Sequence, residues 1–92
     1  MIVSFRHKGL RKYYENGDTS RLRQDQVPRI KRILGLLDLA RGIDEMRVPG
    51  LRLHSLTGDM KECWSVSVSG NWRIIFRIEN GEIYDIDLID YH

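Results

Sequence analysis

An α+β domain, with two helices packed on one face of a mostly antiparallel sheet, is the fold class this sequence predicts, and three observations carry it. Before Gly42, apolar side chains recur at three- and four-residue steps, the spacing of a helix face. From Leu51 onward the period drops to two, as strands require. Gly70-Asn71 and Asn80-Gly81 then cut this second part into strands at hairpin turns. The expected order is an N-terminal strand, two helices and a four-strand C-terminal part. At 92 residues the chain is expected to be a single domain spanning 1–92.

Met1 to Phe5 is short and β-prone, and suits a strand tucked into the sheet. Lys8 to Asn16 suits a short helix. Leu10, Tyr13 and Tyr14 form its apolar stripe, Lys8, Arg11, Lys12 and Glu15 fill the rest, and Gly17 stops it. The second helix is expected over Asp25 to Arg41, with Pro28 in its first turn and Gly42 at its end. Val27, Ile30, Ile33, Leu34, Leu37 and Ala40 make its core face, with Arg29, Lys31, Arg32 and Arg41 outside.

In the sheet region Trp64, Val66 and Val68 alternate with Ser65, Ser67 and Ser69. Trp72, Ile74, Phe76 and Ile78 extend the buried face and leave Arg73, Ile75 and Arg77 opposite. In the last strand Tyr84, Ile86 and Leu88 are expected inward, against Asp85, Asp87 and Ile89. Trp64 and Trp72 thus read as core residues rather than stacking platforms.

Composition narrows the function classes. A lone Cys63 excludes an internal disulfide and a cysteine-ligated zinc. No apolar run approaches the roughly 20 residues of a spanning helix, and MIVSFRHKG has no apolar signal core, so a cytoplasmic protein without membrane contact is expected. The net charge of +2 hides an asymmetry: Met1 to Gly42 carries ten Lys/Arg against four Asp/Glu, the remainder five against nine. A basic half of this kind hints at a polyanionic partner.

Phosphate loops, nucleophile elbows, zinc helices and Cys/His pairs are all missing from the sequence. Three separated histidines are a poor metal set, and no cofactor is expected. What remains is His54 on one strand, Arg73 and Arg77 on another, and the terminal Asp90-Tyr91-His92. Metal-free acid/base chemistry beside a cation suits RNA, whose 2′-OH attacks the adjacent phosphate when a base takes its proton and an acid protonates the leaving 5′-oxygen.

The segments Ile2-x-Ser4-Phe5, Arg52-Leu53-His54-x-Leu56-x-Gly58-Asp59, Trp64-Ser65-x-x-Val68-x-x-Asn71-Trp72-Arg73-Ile74-x-Phe76 and Asp90-Tyr91-His92 together resemble the HigB branch of the RelE-like toxins of type II toxin-antitoxin systems. The resemblance implies a RelE-like microbial ribonuclease fold and a ribosome-dependent mRNA endonuclease that cuts codons in the A site of the 70S ribosome, on its small subunit. It also implies a HigA-like helix-turn-helix antitoxin, with operator DNA reached only through that partner. Carried over by residue, His54 and His92 are the acid/base pair, with acid and base unassigned between them. Asp90 and Tyr91 position them or the ribose, Arg73 holds the scissile phosphate, and Asn71 touches the codon. Lys8, Arg11, Lys12 and Arg77 are candidate RNA contacts. Relatives often carry Lys before the Gly-Asp turn, where this chain has Thr57, so activity is expected to be reduced unless Lys61 or Arg52 substitutes. One rival function fits the same chain, a non-catalytic toxin-like subunit that serves its antitoxin as co-repressor; a second, poisoning of another nucleic-acid process such as gyrase, as some members of this fold do, would not use this His pair.

Overall fold

A computed structural model describes residues 1–58 and 62–91. Helix α1 spans Lys8–Asn16 and α2 spans Val27–Leu39, preceded by a 3-10 turn at Gln24–Gln26. A second 3-10 turn at Ile43–Met46 leads to the sheet, whose strands are β1 (His54–Ser55), β2 (Cys63–Ser69), β3 (Trp72–Glu79) and β4 (Glu82–Asp90). They pair antiparallel in the order β1-β2-β3-β4. The chain is thus an α+β fold with both helices and a four-strand sheet, as expected.

Helix α1 has the expected bounds because both ends carry a local stop signal. Gly17 takes φ +73, open to glycine without a Cβ penalty, and its N–H reaches back to the Tyr13 carbonyl. At the other end His7 is half-buried rather than a plain surface residue: its Nδ1 accepts the Leu10 N–H at 3.1 Å and caps the helix. Helix α2 is shorter than the periodicity suggests. Ala40 is already extended, at φ −66 and ψ 132, and is buried, so the chain leaves the helix before Gly42.

The helices cover one sheet face. Leu10, Ile30, Ile33 and Leu37 close over Val66, Ile74, Phe76, Ile83 and Ile86, all buried completely, while Val27, Trp64 and Trp72 pack at the margin. Burying each large side chain is worth about 1.5–3 kcal/mol, and truncating Phe76 at the centre would cost about 3–5 kcal/mol. Arg29 is not simply an outer-face residue. Its guanidinium donates to the Gly50 carbonyl at 2.6 Å and to the Ser67 carbonyl at 3.3 Å, stapling α2 to the sheet.

Two departures concern β4. Simple alternation puts Tyr84 in the core, but the buried residues are Ile83 and Ile86, three apart. Between the pairs Arg77↔Tyr84 and Ile75↔Asp87, two β4 residues oppose the single Phe76, a bulge that switches which face the side chains meet. Asp85 makes it by adopting φ +58. The same bulge explains why the N-terminal segment is not a continuous strand. It runs parallel to β4 through isolated bridges at Ile2↔Ile83 and Phe5↔Ile86, and at the bulge the Ser4 hydroxyl accepts the Asp85 N–H at 2.9 Å.

Candidate active site

The sheet face away from the helices is where the chemistry-bearing residues meet. Register makes the rows explicit: His54, Ser65, Ile75 and Asp87 lie across the sheet in one row, and Ser67, Arg73 and Ile89 in the next. Residues two apart on a strand share a face, so His54, Ser65, Arg73 and Arg77 point to the same side.

His54 is exposed at the start of β1, on the outer strand of the sheet. Arg73 starts one strand further in, yet its side chain runs back toward β1: Nε donates to the Ser65 hydroxyl at 2.9 Å and Nη2 to the Arg52 carbonyl at 2.9 Å. Arg52 itself takes φ +52, an unfavourable region for a side-chain-bearing residue. The Arg73 cation is therefore delivered to the neighbourhood of His54 by Ser65, the register partner of that histidine.

The far end of the same sheet gathers the other candidates. Gly70-Asn71 joins β2 to β3, and the Asn71 carbonyl accepts the Tyr91 N–H at 2.9 Å. Trp72 pairs with Asp90, so Asn71, Asp90 and Tyr91 meet at one corner, one register step from Arg73. Tyr91 is exposed there. His92, Asp59 and Lys61 lie outside the described residues.

Arg77 has different surroundings from Arg73. Its guanidinium pairs with Glu79, approaches Asp85 at 3.6 Å and lies 4.6 Å from the centre of the Tyr84 ring. Partial desolvation pulls its pKa down, but Glu79 and then Asp85 outweigh this and raise it. Lys8, Arg11 and Lys12 belong to α1, in the helical layer and across the sheet from His54; Lys8 and Arg11 are exposed. The expected RNA contacts thus divide among three places: the Asn71 corner, the paired Arg77 and helix α1.

Sequence reasoning missed Ser65 and the Arg52 carbonyl. The alternation of Ser65 with Trp64 and Val66 placed its hydroxyl on the polar face, but no local signal shows that Arg73 would cross a strand to reach it.

Chemically, the face offers an imidazole for proton transfer and a guanidinium whose two partners among the described residues are neutral, which leaves its positive charge for an anion. A family model described as a RelE-like toxin of the type II toxin-antitoxin system HigB matches residues 3–92. Endoribonuclease HigB of Proteus vulgaris is 42% identical over 92 residues, covering all of both chains. Toxin HigB-1 of Vibrio cholerae serotype O1 is 31% identical over 83 residues, covering 88% of this chain and 87% of its own. A compact α+β chain matched by that model almost from end to end, and 42% identical to one such toxin over its full length, belongs to the HigB-like toxin family of type II toxin-antitoxin systems.

Proposed function

We propose that this toxin is an endoribonuclease that cuts mRNA in the ribosomal A site, with the ribose 2′-OH as nucleophile. The observation that carries the reading is the Arg73 guanidinium, held by two neutral acceptors, the Arg52 carbonyl and the hydroxyl of Ser65, the register partner of His54. One of the pair His54 and His92 takes the 2′-OH proton as O2′ attacks phosphorus, and the other protonates the departing 5′-oxygen. The products are a 2′,3′-cyclic phosphate and a free 5′-OH. Arg73 stabilises the charge that builds on the phosphorane oxygens, the kind of contact whose loss costs about 10²–10³ in rate.

Asp90 and Tyr91 orient the ribose or the terminal histidine, and Asn71, at their corner, reads the codon. Lys8, Arg11 and Lys12 meet ribosomal RNA phosphates from the helical layer, with Arg77 a weaker contact because Glu79 and Asp85 already balance it. Ribosome dependence suits so small a constellation, since an A site supplies the orientation that a free ribonuclease must build itself. The partner is a helix-turn-helix antitoxin of the HigA type, which alone carries the complex to operator DNA, and the toxin acts in the cytoplasm.

Primer extension on translated mRNA tests the reading. His92→Ala and His54→Ala should each abolish cuts and relieve growth arrest. Arrest that persists with intact cleavage overturns the site, and arrest without any cleavage by the native toxin points to a different target. Native toxin that neither cleaves nor arrests growth while still enhancing repression by its antitoxin supports the co-repressor function instead.

A further inference from the structure

We infer that Ser65 is the positioning residue of the cleavage site: its buried hydroxyl, together with the Arg52 carbonyl, holds one edge of the Arg73 guanidinium so that the other edge faces the scissile phosphate. This rests on Arg73 being the phosphate-holding group.

Ser65 is polar yet only 1% exposed, and Gln26 is the other buried polar residue among the described ones. Its hydroxyl does not face the main core. It lies on the opposite sheet face beside Ile75, its β3 register partner, which is 3% exposed and stands outside the helix-covered cluster. A hydroxyl in so dry a place binds a cation more strongly than one in water.

The atoms used on Arg73 matter more than the number of bonds. A guanidinium has five N–H donors. The Nε–H and the adjacent Nη2–H form its side edge, and both are taken, by Ser65 Oγ and the Arg52 carbonyl, each at 2.9 Å. Nη1 is used by neither bond, and no carboxylate pairs with Arg73 among the described residues. The end edge, Nη1–H with the second Nη2–H, is therefore the one presented for two-point contact with phosphate oxygens. Neutral acceptors fix its direction without spending its charge. Lysine has no such second edge, so the arrangement demands arginine.

The test uses the full-length toxin with translating ribosomes, measuring kcat, KM and thermal unfolding for S65A, S65T, R73A and the double variant S65A/R73A. S65A should lower kcat on the order of 10- to 100-fold, the cost of a mis-aimed group, with KM nearly unchanged. S65T keeps the hydroxyl and should recover most of the rate. If the added methyl does not fit at this buried position, the double variant decides: with Arg73 gone, losing the Ser65 hydroxyl should cost nothing further. Independent, multiplying losses in S65A and R73A overturn the positioning role, as does an S65A with native kcat beside an inactive R73A. A fully active R73A overturns the assignment of Arg73 itself.

Discussion

Arg73 and Arg77 stand four residues apart on one strand and one face, and the surroundings of each decide opposite fates. Arg73 is held by a serine hydroxyl and a backbone carbonyl, which aim it without cancelling its charge. Arg77 is held by Glu79 and Asp85 and laid over Tyr84, so its charge is balanced within the protein. A phosphate arriving at Arg73 meets a cation that no carboxylate pairs with among the described residues, whereas at Arg77 it competes with two carboxylates. Placing an arginine on a polar face does not make it an anion site; neutral acceptors around it do.

The largest expected effect is at Arg73. R73A should lower cleavage by about 10²–10³, and R73K should recover little, because a lysine ammonium cannot engage Ser65, the Arg52 carbonyl and two phosphate oxygens together. Cleavage by R73K at near-native rate would break the contrast.

Next is Thr57, exposed three residues after His54. T57K adds a second uncompensated cation near the imidazole, and a gain in codon cleavage is expected, worth at most about 3 kcal/mol of transition-state stabilisation. An unchanged rate in primer extension would show that Arg73 alone suffices.

Asp85 sharpens the other side of the comparison, because its φ of +58 makes the bulge that brings it to Arg77. D85A and D85G remove the same carboxylate, but only alanine keeps a Cβ in the left-handed region, so D85A should unfold about 1–2 kcal/mol more easily than D85G in urea. Equal stabilities would mean that the bulge relaxes on mutation. R77A itself should leave cleavage close to native and lower the melting temperature slightly; a loss as deep as that of R73A would make the two arginines equivalent.

The smallest effect lies in the helical layer. The Tyr14 hydroxyl donates to Asp38 at 2.9 Å, and the same carboxylate oxygen accepts the Ile2 N–H at 3.2 Å, tying the N-terminal segment to both helices. Desolvation first, and then Asp38, raise the Tyr14 pKa above 10.0. The folded state thus holds this proton more tightly than the unfolded chain, so the stabilisation is complete below pH 10 and fades as pH rises through the folded value. Y14F should show a shallower alkaline loss of stability than the native chain; identical slopes would remove Tyr14 from the account.

Sequence alone determined the two helices, the C-terminal strands and their order, though not the full extent of α2 or the broken N-terminal strand, because stops and periods are local physics. Gly17 ends α1 by its own backbone freedom, Gly70-Asn71 and Asn80-Gly81 turn the strands, and the alternation around Val66 and Ile74 chooses the buried face. It also placed His54 and Arg73 on the polar face. Where a result depends on residues distant in the chain, the sequence was silent. The bulge at Asp85 forms opposite Phe76 and against Ser4, 81 residues away, so the inward side of β4 could not be read from alternation. Nor could the different fates of the two arginines, since hydrogen bonds and charge pairs are made through space. The tertiary structure decided which arginine meets neutral acceptors and which meets carboxylates, by setting Ser65 and the Arg52 carbonyl beside one, and Glu79 and the bulged Asp85 beside the other.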